Sequence, residues 1–415
     1  MRKSKAPLIA MILLAVLSAG VVFPSGNPGP ARPPTEAEKK SDELSASIDP
    51  SLIDANTGFA FAIFQELIAE DPGQNIFISP LSILLALAMT YNGAGGDTDA
   101  AMAEALRFSG FTVEALNRGF RDLMASITGA DNTTTVSIAN SIWYTQGYDV
   151  AAEFVETNRS YYGSEVGELD FRDAAAVDTI NAWIEDATAG KITNMIGRIP
   201  PDVVMYLINA IYFKGEWTHR FSEDESRDED FILETGGEKK VPMMHMEEEF
   251  RYARAAAYGM LRLPYGREKL VMYVLLPDEG TGVDAVIGGL DSESWKSLKS
   301  QMEDKTAVLA MPRYRFEYGA KSLNGALSRM GMGMAFGPGA DFSGINPGIF
   351  ISEVLHKAVI EVNEKGSEAA AATAVSMEES APPERIEFIV NRPFLFLIAD
   401  DRTGSILFMG KVVDP

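Results

Sequence analysis

From Gly366 to Pro382 the chain reads GSEAAAATAVSMEESAP, a tract whose only large apolar side chains are Val375 and Met377. It follows the strand-like run Val359-Ile360-Glu361-Val362 and stops at Pro382-Pro383, ahead of another strand-like run from Phe388 to Val390. A tract so poor in apolar bulk builds no core. About 15 residues without regular structure inside a compact domain usually serve a function. Three readings are open. Four consecutive alanines favour a surface helix. A plain exposed loop needs nothing further. In the third, the tract waits to become a strand: side chains alternate with period two, so Ser367, Ala369, Ala371 and Thr373 share one face, and all four are small. Such a face can slide beneath a covering helix, with Gly366 as the hinge.

The remainder of the chain is ordinary by comparison. A length of 415 residues suggests two or three domains. Yet Leu52 to Pro415 holds no second linker and no internal repeat, so residues 51–415 are expected to form one domain. The first half is mainly helical in pattern: Phe61, Phe64, Leu67 and Ile68 share a face, and Val177 to Ala187 is amphipathic, with Gly190 as its stop. Ser79 is an N-cap candidate before Pro80, and Leu81, Leu84, Leu85 and Ala88 form the apolar stripe that follows. The second half turns to strands. Leu270 to Leu276 is apolar throughout, as for a strand buried on both faces, and Phe394–Ile398 and Ser405–Val412 flank the turn Asp400–Gly404. Helices first and strands later predict an α+β fold.

Residues 1–23 resemble an export signal, with Arg2, Lys3 and Lys5 before the apolar run Leu8–Val16 and small residues at Ser18, Ala19 and Gly20. The apolar stretch just suffices to span a bilayer, so cleavage and an uncleaved membrane anchor both stay open. Residues 24–50, rich in Pro, Gly, Ser, Glu and Lys, are expected to be an extended linker. The chain has no cysteine, which removes disulfides, thiol nucleophiles and thiolate metal sites. Its net charge of −23 repels phosphate backbones, so no nucleic-acid partner is expected. Asn132 and Asn158 lie in Asn-X-Ser/Thr triplets, open to glycosylation in a suitable host.

Catalytic patterns are missing. His219, His245 and His356 are scattered, with no HExxH pair, and there is no GxSxG elbow and no phosphate-binding loop. Glu378 and Glu379 are adjacent, so in an extended chain they point to opposite sides and cannot flank one glycosidic bond. No enzyme activity, metal or cofactor is expected.

The tract and its surroundings resemble the hinge and reactive loop of a serpin. Four further stretches resemble that family, in family order. They are Asn75–Ser82 at an early helix entry, Leu207–Trp217 at a central strand and turn, Val354–Ala358 before the hinge, and Phe388–Ile398 near the C-terminus. The resemblance implies a single-domain α+β fold with three β-sheets and eight to nine helices. It also implies a secreted, monomeric inhibitor that forms a covalent 1:1 complex with a serine protease. The cleaved loop would then insert as a new strand of the central sheet. By the same resemblance, Ser79, Ser82, Asn209 and His356 form a polar cluster beneath the opening strands. Trp217 marks the point of loop entry, and Glu364 at the loop base has Arg313 as partner. The hinge comprises Gly366, Ser367, Glu368, Ala369, Ala370, Ala371, Ala372 and Thr373, small or flexible as in inhibitory members.

The family's usual spacing from Gly366 places the reactive bond at Ser380-Ala381. The variable distance to Pro382-Pro383 leaves Glu379-Ser380 as the alternative. Serine before the bond suits elastase-like or subtilisin-like pockets, glutamate a basic pocket. Trypsin-like targets are disfavoured, because the first basic residue past the hinge is Arg385, beyond the prolines. The rival reading is a non-inhibitory serpin that acts as a binding or structural protein.

Overall fold

The computed structural model of the chain describes residues 33–201, 203–367 and 384–415. The expected export signal and most of the reactive loop, including Glu368, Ala369, Ala370, Ala371, Ala372, Thr373, Glu379, Ser380 and Ala381, lie outside the described residues.

The first departure from expectation is in the N-terminal linker. Residues 36–47 form helix α1 (Glu36–Ser47), opened by a capping box. The Thr35 hydroxyl accepts from the Glu38 amide at 3.2 Å, and the Glu38 carboxylate accepts from the Thr35 amide at 2.6 Å. Its polar composition hid it, because α1 docks through hydrogen bonds and not through an apolar stripe. Ser41 donates to the Ser126 carbonyl at 2.6 Å, and Arg402 reaches both Ser41 and Asp42.

Helix α2 (Pro50–Glu70) follows, then strand β1 (Ile76–Ile78) and helices α3 (Pro80–Tyr91), α4 (Gly96–Ala105) and α5 (Val113–Thr128). Next come β2 (Thr134–Thr145), α6 (Ala152–Tyr162), β3 (Glu165–Leu169), α7 (Ala175–Ala187) and β4 (Met205–Glu216). The second half runs β5 (Arg227–Ile232), β6 (Glu238–Arg254), β7 (Tyr258–Tyr265), β8 (Leu270–Pro277), α8 (Val283–Gly288), α9 (Ser292–Ser300), β9 (Glu303–Pro312), β10 (Tyr314–Ser322) and α10 (Asn324–Arg329). It closes with β11 (Leu355–Val362), β12 (Gly366–Ser367), β13 (Arg385–Ile389), β14 (Phe394–Asp400) and β15 (Ile406–Val412). The described residues thus hold ten α-helices where eight or nine were expected. The docked α1 is one that sequence pattern did not offer.

The strands form three sheets. Nine strands make the largest, in the order β1-β15-β14-β8-β7-β6-β9-β13 with β5 on β6. Every residue of β8 is buried, as its unbroken apolar run requires. A four-stranded sheet runs β12-β4-β2-β3, and β10 pairs with β11 alone. The main core lies between the large sheet, α2, α3 and the inner faces of β4 and β11. A smaller apolar cluster holds Ile180 and Ile184 of α7 against Trp143, Tyr206 and Ile208, so α7 covers the outer face of the four-stranded sheet. Asn158 is buried, with its side-chain amide bonded to the Phe154 carbonyl, which shuts this triplet to glycosylation once folded.

Candidate functional site

Strand β11 ends at Val362, and a tight hairpin turns the chain back on itself. Asn363 and Gly366 exchange backbone hydrogen bonds of 3.0 and 3.1 Å. Gly366 has φ +142°, and a Cβ there would stand 2.1 Å from the Gly215 carbonyl oxygen, so only glycine fits. Beyond it, Gly366 and Ser367 pair antiparallel with Glu216 and Gly215 of β4.

This short pairing is buttressed from below. Ser367 is buried, its hydroxyl 3.0 Å from that of Tyr265. Burial pushes the Tyr265 phenol well above its ordinary pKa, so it stays a neutral hydrogen-bonding group. The Tyr265 ring stacks on Trp217 at 4.4 Å between centroids. Trp217 in turn donates from its indole to the Asn363 carbonyl at 2.9 Å and from its backbone to Lys365 at 3.0 Å. Glu364 is buried beside these groups. It accepts from Arg313 at 2.9 Å, as the resemblance implied, and also from the Ser226 hydroxyl at 2.8 Å. The structure therefore gathers Trp217, Arg313, Glu364, Gly366 and Ser367 at one end of β4 and β11. Tyr265, Asn363 and Ser226 belong to the same cluster and were missed, because no local pattern distinguishes a buttressing tyrosine or serine distant in sequence.

The second cluster sits at the other end of β11. The Ser79 hydroxyl accepts from the Ser82 amide at 3.2 Å, capping α3, and donates to the Leu407 carbonyl of β15 at 2.7 Å. The Ser79 amide donates to Nε2 of His356 at 3.2 Å. That bond requires the tautomer with its proton on Nδ1. Burial lowers the His356 pKa to about 4, which keeps the ring neutral. A serine next to a histidine invites a catalytic reading, and the geometry rejects it: Nε2 is occupied by a backbone donor, and the hydroxyl donates elsewhere. The cluster ties α3, β11 and β15 together. Asn209 lies in β4 opposite Asn140, but its side chain is outside the described atoms.

Between the two clusters β4 and β11 lie side by side, yet among the described residues they share no ladder. The shallow opening between them is lined by Ile211, Phe213, Ala358, Ile360, Ser367 and Phe408. Phe77, Ile398 and Phe408 give the opening an apolar floor. Among the described residues no three His, Asp or Glu groups are arranged to hold a metal ion.

A family model described as Serpin (serine protease inhibitor) matches residues 54–415. A serpin-like protein of Thermococcus kodakarensis, itself uncharacterised, is 36% identical over 404 residues, covering 94% of this chain and 93% of its own. The leukocyte elastase inhibitor of Bos taurus is 36% identical over 375 residues, covering 87% of this chain and 98% of its own. Among solved structures, the thermophilic serpin tengpin in its native state superposes with a TM-score of 0.82 at 32% identity, covering 89% of this chain and 95% of its own.

Proposed function

The chain belongs to the serpin family, and on that premise we propose that it is a secreted inhibitor that traps serine proteases by sacrificing its own loop. Serpins are protease inhibitors and in general not catalysts. The observation that carries the inhibitory reading is the pairing of Gly366 and Ser367 with Glu216 and Gly215 of β4, beside the opening between β4 and β11. In this reading Gly366 and Ser367 are the first rung of an inserted strand, and the residues that share the face of Ser367, namely Ala369, Ala371 and Thr373, are small enough to follow it.

In this reading the hydroxyl oxygen of the protease's catalytic serine attacks the carbonyl carbon of Ser380. A tetrahedral intermediate collapses, the Ala381 nitrogen leaves as an amine carrying the proton passed to it by the protease, and the Ser380 acyl group remains as an ester on the enzyme. The freed strand then adds between β4 and β11. Strand β4 is 12 residues long, and each ladder bond gained on either edge contributes about 1 kcal/mol net. In this reading the gain in ladder bonds drives the displacement of the attached protease.

Serine before the reactive bond, together with similarity to an elastase inhibitor, favours an elastase-like or subtilisin-like target. The test is incubation of the protein with elastase, subtilisin and a glutamate-specific protease. An SDS-stable complex with lost protease activity is expected with one of the first two. A complex only with the glutamate-specific enzyme moves the reactive bond to Glu379-Ser380. Loop cleavage without complex and without a gain in thermal stability overturns the inhibitory reading and leaves a binding or structural serpin.

A further inference from the structure

We propose that helix α1 is a salt-sensitive latch on the base of the loop, acting through the turn between β7 and β8. Cations of the body converge on α1 from two turns. Lys269, in the β7–β8 turn, binds the Asp42 carboxylate at 2.6 Å, and Arg402, in the β14–β15 turn, binds it at 3.0 Å. Arg267, also in the β7–β8 turn, stands 3.8 Å from the buried carboxylate of Glu38. The buried residues of α1 itself are Glu38 and Ser41, both polar, so charge and hydrogen bonds hold the helix down.

The same turn carries the loop base. It runs from Tyr265 to Leu270, and Tyr265 stacks on Trp217 and shares a hydrogen bond with Ser367. Its backbone needs outside support. Gly266 and Glu268 both have positive φ, +48° and +65°, and for a glutamate that conformation is strained. The Gly266 amide donates to the Glu216 carbonyl at 2.8 Å, and Arg262 donates to the Glu268 carbonyl at 3.2 Å. The Arg267 amide donates to the Asp131 carboxylate at 2.5 Å. A Cβ at Gly266 would stand 2.0 Å from the Thr133 hydroxyl, so the turn lies flush on the segment 129–133. Helix α1 clamps that segment as well: Ser41 donates to the Ser126 carbonyl, and a Cβ at Gly129 would stand 3.3 Å from that of Ser41. It therefore holds the turn twice, directly by its carboxylates and indirectly through Asp131.

The grip is open to solvent at one point. The Asp42 side chain is 46% exposed, so mobile ions screen its two pairs, whereas Glu38 is shielded. Release strips Lys269 and Arg267 of their helix partners and leaves the strained turn with fewer restraints, so Tyr265 moves more freely beneath Ser367. The pivot is short: α1 ends at Ser47, α2 begins at Pro50, and the buried Ile48 pins the joint between them. Helix α1 can thus swing out while α2 stays folded. The coupling stands apart from the inhibitory reading, because it acts on the loop base whatever meets the loop.

Amide hydrogen exchange on the full chain tests this, comparing wild type, Asp42→Asn, Lys269→Gln and Glu36→Gln at about 0.05 M and about 0.5 M NaCl. Asp42→Asn keeps the side chain's size and removes its charge. At low salt it is expected to speed exchange about fivefold in α1 and also at Trp217 and residues 365–367, with β8 unchanged. Lys269→Gln cuts the same pair from the turn side and is expected to reproduce the effect. High salt is expected to do the same to the wild type and to add little in either variant. Glu36, exposed and paired with Lys39, is the control, and Glu36→Gln is expected to match the wild type. Faster exchange confined to α1, with Trp217 and residues 365–367 unmoved, overturns the coupling. Unchanged exchange in α1 of the Asp42→Asn variant, or wild-type exchange indifferent to salt, overturns the latch itself.

Discussion

His356 shows how one buried residue makes the stability of the fold depend on pH. Its imidazole is buried and neutral, held by the Ser79 amide, with a pKa lowered by burial to about 4 against an ordinary 6.5. The unfolded chain takes up a proton below 6.5 and the folded protein resists it. Stability tied to this group is therefore full above pH 6.5 and is lost as pH falls towards 4. The loss totals about 3 kcal/mol, since each unit of pKa difference is worth about 1.4 kcal/mol. Denaturant midpoints measured from pH 7 to 4.5 are expected to fall, and His356→Asn to flatten the slope by close to one proton. An unchanged slope in the variant would show that other groups control this range. The sequence marked His356 through the family resemblance alone. Its tautomer and depressed pKa come from α3, β11 and β15 meeting around it, three elements far apart in the chain.

Element by element, apolar pattern was a good guide and polar docking was not. Helix α3 begins at Pro80 with Ser79 as its cap, as the capping pattern predicts, and β8, β14 and β15 lie where their apolar residues put them. Helix α1 went unseen because its anchor is a guanidinium from the opposite end of the chain. Arg402, in the turn between β14 and β15, binds Asp400 at 2.9 Å and reaches Ser41, Asp42 and the Ser126 carbonyl. Asp400 is fully buried, so removal of its partner leaves a carboxylate charge uncompensated. Arg402→Met is expected to cost about 3 kcal/mol and to release α1. The readouts are a lower urea midpoint and faster amide exchange over residues 36–47, with protection retained in α2. If exchange in α1 is unaffected, Arg402 is not its anchor.

At the scale of the whole molecule, the proposed inhibitory mechanism turns on the pairing of Ser367 with Gly215 of β4. Ser367 sits at 3% exposure against Tyr265. An arginine there would have to bury a charge or abandon the pairing with Gly215. Ser367→Arg is therefore expected to turn inhibitor into substrate, raising cleaved product relative to SDS-stable complex by about tenfold or more. Complex formation at the wild-type level would refute the assignment of Ser367 as the first inserted residue. The amino-acid order by itself determined the α+β class and the small-residue tract that follows Gly366, because these depend on local periodicity and composition. It could not show that β4 and β11 share no ladder among the described residues, or that Tyr265 and Ser226 support the loop base. Those features depend on the register between strands more than 130 residues apart, and register is set by packing across the whole fold, not by any segment on its own.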